Sequence, residues 1–186
     1  MKKLLSTFAC MVLLSLVSSA QGVSELFKDN SEMKNLFVSP LGIDGVMENP
    51  DFDSLVSEVK SRGLDCKSLD LGEYGKILNI MPKDIAIGGV CIDRMMMVVN
   101  KDFNGLIYQS EPSDNYKDMC SSLDKSLSGF AKMVDNAGSG TLQFNVYMLN
   151  DDYGIAVGAM DNTRTAMAFM MDMKNLKSFM NIAGAM

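Results

Sequence analysis

Residues 142–173 read LQFNVYMLNDDYGIAVGAMDNTRTAMAFMMDM, and this stretch decides the fold. Three runs rich in apolar residues, 142–149, 154–160 and 165–173, each have the length of a strand. They are separated by Asn150, Asp151 and Asp152 and then by Asp161 and Asn162, residues that favour tight turns. Connections this short join antiparallel neighbours, so the stretch predicts a three-stranded antiparallel meander. On its C-terminal side, Leu176, Phe179 and Met180 share one face of a short helix over 174–182 that would pack at the end of the sheet. On its N-terminal side, Met119, Leu123, Leu127, Phe130, Met133 and Val134 recur at three and four. That spacing predicts a long amphipathic helix from near Asp114 to near Gly138, followed by a loop over 136–140.

The first half carries weaker signals. Mixed spacings of Val23, Leu26, Phe27, Met33 and Leu36 predict a short helix over 23–35. Pro50, early acids and the apolar set Phe52, Leu55, Val56 and Val59 predict a helix over 51–60 that stops at Gly63. Residues 64–81 fit neither period. Residues 84–100 are rich in Ile, Val and Met and read as two extended pieces hinged at Gly88 and Gly89, with a further strand over 105–110. No internal repeat and no low-complexity linker interrupts the pattern, so the expectation is a single α+β domain over 21–186, an antiparallel sheet packed with a few helices.

The first twenty residues have a different character. Met1, Lys2 and Lys3 are followed by an uncharged run from Leu4 to Leu16, the order of a secretory signal peptide, and the run is too short to span a bilayer. Ser18 and Ala20 supply small residues for a cut between Ala20 and Gln21, with a second option before Val23. Cys10 lies inside the apolar run without a Leu three positions before it, so lipidation is not expected. No later stretch is long and apolar enough for a transmembrane helix. The expected location is therefore the periplasm or the exterior.

Removing Lys2 and Lys3 from 17 cations set against 23 acids moves the formal net charge from -6 to -8. Without a dense cationic patch, nucleic acid is not an expected partner. The chain contains no histidine, which excludes Ser-His-Asp and Cys-His catalysis and the usual zinc hydrolases. Cys66, Cys91 and Cys120 remain after cleavage, enough for one bridge with a thiol left over. None lies in a C-x-x-C motif, and buried, inert cysteine is the favoured reading.

Methionine is the compositional oddity, 18 in all, with Met95, Met96 and Met97 in one group and Met167, Met170, Met171 and Met173 in another. Thioether clusters in an exported chain suit Cu(I), but methionine also fills irregular cores. On strands Met95 and Met97 share a face, as do Met167, Met171 and Met173, and core filling is preferred. Asp151 with Asp152 and Asp161 with Asn162 offer hard oxygen ligands for calcium, yet hairpin turns call for the same residues. Gly138, Ser139 and Gly140 follow a helix instead of opening one, which suits a flexible connector better than a phosphate cradle. No catalytic, cofactor-binding or metal-ligating residue is assigned.

The segment from Leu123 through Asp124, Lys125, Leu127, Phe130 and Met133, the strand from Gln143 to Met148, and the closing Met173, Lys174, Asn175 and Leu176 resemble the family catalogued as domain of unknown function 4252. That resemblance covers about a third of the chain, in its C-terminal half. It implies a small exported protein of the Gram-negative envelope without established chemistry, and it carries over no site residues. The expected function is non-enzymatic, a protein–protein interaction, self-association or structural role in the cell envelope. The alternatives are a small apolar or lipidic ligand held between helices and sheet, a carboxylate-only enzyme, and a Met-rich copper binder.

Overall fold

The computed structural model describes residues 31–42, 52–72, 75–99, 104–139 and 142–184. Helix α1 (Ser31–Phe37) leads through a 3-10 turn (Ser39–Leu41) towards α2 (Phe52–Ser61). Strands β1 (Asp65–Asp70) and β2 (Lys76–Met81) form a hairpin, and β3 (Ala86–Ile87) turns through Gly88 and Gly89 into β4 (Val90–Val99). Both glycines have positive φ, 57° and 80°, which a two-residue hairpin turn needs and side chains resist. Strand β5 (Asn104–Ser110) and α3 (Tyr116–Ser128) follow. The chain then runs through β6 (Lys132–Ser139), β7 (Leu142–Met148), β8 (Tyr153–Met160) and β9 (Thr165–Asp172) to α4 (Met173–Gly184).

All nine strands join one antiparallel sheet in the order β1-β2-β4-β5-β9-β8-β7-β6, with β3 paired to β4 off that path. Two meanders, β1–β5 and β6–β9, are thus stitched together where β5 meets β9, with Leu106 opposite Met170 and Tyr108 opposite Ala168.

Apolar cores lie on both faces. On one, Met33 and Phe37 of α1, Leu55 and Val59 of α2, and Leu123 and Leu127 of α3 pack with Leu78, Met95, Met97, Ile155 and Met170. On the other, Met96, Phe144, Val146, Met167, Phe169 and Met171 pack with Leu176 of α4. A strand buried on both faces cannot alternate between apolar and polar, which is why β9 reads as an almost unbroken apolar run.

Three local features lock this arrangement. Tyr108 is fully buried and its hydroxyl donates to the Phe37 carbonyl at 3.0 Å, tying α1 to β5. Phe144 and Phe169 meet edge-on with centroids 5.5 Å apart. Gly158, opposite Phe144 in the ladder, leaves room for that ring: a Cβ there would lie 2.2 Å from Phe144 Cδ1 and 2.3 Å from the Gln143 carbonyl oxygen. Two buried polar atoms, Asn79 Oδ1 and Arg94 Nε, have no hydrogen-bond partner.

The mixed α and antiparallel β content agrees with expectation, but the sheet is far larger than a three-stranded meander. The helix expected to run to Gly138 ends at Ser128. Met133 and Val134 belong instead to β6, and so do Asn136, Gly138 and Ser139, which were expected in a loop. Periodicity misleads here because Gly129 and Phe130 turn the chain immediately after Leu127, and hydrogen bonding to β7 outweighs helix spacing in Met133 and Val134. The unassigned stretch 64–81 is the β1–β2 hairpin. The helix expected over 23–35 is seen as Ser31–Phe37, its earlier part lying outside the described residues, as do the signal segment, Ala20 and Gln21.

Candidate functional site

Helix α3 buries Leu123 and Leu127 against the sheet. Lys117, Cys120 and Asp124, spaced at three and four, line its flank. Opposite that flank, alternation along β7 turns Phe144 and Val146 to the far core and Gln143, Asn145 and Tyr147 towards α3. Asn136 of β6 sits across from Asn145, and Val157 and Ala159 of β8 pair with Asn145 and Gln143. Asn136, Gln143, Asn145, Val157 and Ala159, with Lys117, Cys120 and Asp161, line an open cleft of about 410 Å³.

A continuous hydrogen-bond network crosses the cleft wall. Asn136 Nδ2 donates to Asn145 Oδ1 at 2.8 Å, and Asn145 Nδ2 donates to Asp124 Oδ2 at 2.9 Å. The Tyr147 hydroxyl donates to Asp124 Oδ1 at 3.0 Å. Burial nonetheless raises the Asp124 pKa above the ordinary carboxylate value, outweighing the hydrogen bonds from Tyr147 and Asn145 that pull it down. Burial, reinforced by the Asp124 charge, pushes the Cys120 thiol up to about 12. Burial raises Tyr147 too, followed by its hydrogen bond to Asp124 and the nearby charge. At neutral pH Cys120 is therefore a protonated thiol and a poor nucleophile. At the rim, Asp161 accepts a hydrogen bond from Tyr116 and lies 3.7 Å from Lys117 Nζ.

The methionine groups are core residues. Met95 and Met97 are buried on the α3 side of the sheet and Met96 on the other; Met167 and Met171 are buried opposite Met170, and Met173 packs at the start of α4. The shared faces expected from alternation are observed, and no solvent-facing thioether cluster forms from these buried side chains. Asp151 and Asp152 lie in the β7–β8 turn, where Asn150 Oδ1 accepts the backbone N–H groups of Asp152 and Tyr153 at 3.0 and 2.8 Å. Among the described residues no three His, Cys, Asp or Glu side chains are grouped to hold a metal. Cys66, Cys91 and Cys120 are free thiols; Cys66 and Cys120 are half-buried, whereas Cys91 is exposed and departs from the expectation of a buried cysteine.

Exposed large apolar side chains are found at Leu69 on β1 and at Met133 and Val134 on β6, the two outer strands. The β6 edge is partly guarded: the register shifts between Met133 and Asp135, and the Asn136 backbone N–H is bonded to Asp135 Oδ1 at 2.8 Å. No described helix is long and apolar enough to cross a membrane.

Sequence reasoning missed Asp124, Asn136, Gln143 and Asn145. The readable signal was the alternation QFNVYM, in which Gln143, Asn145 and Tyr147 share one face of the strand. No family model, curated protein or solved structure matches this chain.

Proposed function

We propose that this chain is an exported, non-enzymatic binding protein of the cell envelope that holds a small polar ligand in the cleft between α3 and strands β6–β8. The observation carrying this reading is the placement of Gln143, Asn145 and Asn136 on the helix-facing side of a sheet whose other strands present Ile155, Met170 and Leu78 there. Apolar residues would have sufficed to pack α3. Export rests on the basic start and apolar run of residues 1–20. A non-enzymatic role fits a chain without histidine whose cleft thiol stays protonated. Polar and apolar surface contribute about equally to this cleft, but Lys117, Asn136, Gln143, Asn145 and Asp161 would each lose water to an apolar occupant, so a mixed, polar ligand replaces the apolar one as the preferred occupant.

The experiment is native mass spectrometry of protein recovered from the envelope fraction, repeated after denaturation. The expected result is a denatured mass for residues 21–186 and a small organic mass carried only by the native species. A native mass with no adduct, in wild type and in a cleft-filling Ala159→Phe variant alike, would count against the ligand.

Met133 and Val134 favour a second reading, a protein partner or second copy seated side-on against β6. Their bulge and the Asp135 cap disfavour simple strand addition. A native mass of two chains, reverting to one in Met133→Asp, would select it.

A further inference from the structure

Resting on the cleft reading above, we infer that the ligand is a saccharide, a neutral, hydroxyl-rich molecule recognised through its vicinal hydroxyls and ring C–H face.

Three other classes fit the cleft poorly. A phosphate or carboxylate would meet one lining cation, Lys117, already 3.7 Å from the Asp161 carboxylate, and would be repelled by that carboxylate and by the half-buried Asp124 behind the wall. A metal ion would have to displace donors: both Asp124 oxygens are engaged by Tyr147 and Asn145, and Asp161 by Tyr116. An apolar molecule would strip water from Asn136, Gln143 and Lys117 without replacing its hydrogen bonds.

What the cleft presents is a mixture. Gln143 offers a donor pair and an acceptor, while Asn136, Asn145, Lys117 and Asp161 offer the N–H groups and lone pairs left over by their bonds to each other, to Asp124 and to Tyr116. A hydroxyl both donates and accepts, so adjacent hydroxyls on a ring match such a wall, whereas a purely anionic or cationic ligand uses half of it. Ala159, with the fully buried Val157 beneath, supplies a small apolar floor without bulk, against which the C–H face of a pyranose can lie. Asn136, Asn145 and Asp124 are mutually bonded, so the wall is fixed before the ligand arrives and loses little freedom on binding.

The test is titration of the protein with maltotriose, mannotriose and N,N′,N″-triacetylchitotriose, and separately with glutamate, spermidine and a neutral tripeptide, followed by calorimetry and by amide chemical shifts of residues 143–147 and 157–159. The expected result is saturable binding of at least one trisaccharide, with shifts confined to those strands and an affinity loss of tenfold or more in Gln143→Ala. Gln143 is exposed on β7, and an unchanged thermal midpoint in that variant separates lost contact from lost fold. Binding of glutamate, spermidine or the tripeptide with no trisaccharide bound overturns the saccharide class and leaves a polar-ligand cleft. No binding by any of the six, with no shift at β7 or β8, overturns both.

Discussion

Replacing Gly158 by alanine should be among the most damaging single-methyl additions available to this protein. The new Cβ would sit 2.2 Å from Phe144 Cδ1 and 2.3 Å from the Gln143 carbonyl oxygen, against a comfortable carbon–carbon separation of about 3.5–4 Å. The ring could tilt, but that disturbs its edge contact with Phe169, an arrangement worth about 0.5–1.5 kcal/mol. The carbonyl belongs to the β7–β8 ladder and has little freedom to move. Overpacking typically costs about 1–3 kcal/mol, and a clash against backbone belongs at the upper end. The stiffer unfolded chain of an alanine variant returns about 0.4–1 kcal/mol. A net loss of about 3 kcal/mol remains, a large share of the roughly 5–15 kcal/mol that stabilises a typical domain. Equilibrium urea unfolding followed by far-ultraviolet circular dichroism measures it. With an m-value of about 2 kcal/mol/M the midpoint should fall by about 1.5 M. Combining Gly158→Ala with Phe144→Leu should recover part of the loss and not all of it, because the carbonyl clash persists. A midpoint within about 0.3 M of wild type would refute the packing argument.

Asp124 binds its proton more tightly in the folded protein than in the unfolded chain, so its contribution favours folding in acid and fades as pH rises through the folded pKa. The urea midpoint of Asp124→Asn relative to wild type should therefore improve as pH rises from about 4 and level off once folded Asp124 is ionised; a difference independent of pH would contradict this. Iodoacetamide at pH 8 should modify the exposed Cys91 first and Cys120 last, because the Cys120 thiol is held protonated, its pKa pushed up to about 12; peptide mapping that finds Cys120 labelled as fast as Cys91 would refute it. Arg94→Met removes a buried Nε that has no partner, so stability should hold or rise by up to about 1 kcal/mol. A loss larger than that, read from the same urea curves, would mean that Arg94 contributes through contacts outweighing its orphaned atom.

The C-terminal strands were legible because their turns carry Asn and Asp at the positions where the chain reverses, and Asn150 indeed closes its turn through its side-chain oxygen. Strand β6 was not legible. Its apolar residues Met133 and Val134 are exposed and continue the helical spacing of Leu123 and Leu127 by coincidence, so only pairing with β7 distinguishes strand from helix. Cross-sheet neighbours lie equally beyond local pattern: nothing near Leu106 announces Met170. The cleft escaped for the same reason. Asp124, Asn136 and Asn145 are ordinary polar residues on three separate elements, and only the folded sheet joins them into one wall.

The position of β9 bears on how the chain comes to be folded at all. It is made after every other strand, yet it lies in the interior of the sheet, between β5 and β8. A nascent chain lacking it holds two half-sheets with open flanks and no ladder between them. Closure has to span α3 and three intervening strands, and long-range pairing of that kind is slow to form. Complete folding is therefore disfavoured until synthesis has passed residue 172. The same delay leaves β5 uncovered in any prematurely ended product, an apolar edge open to aggregation.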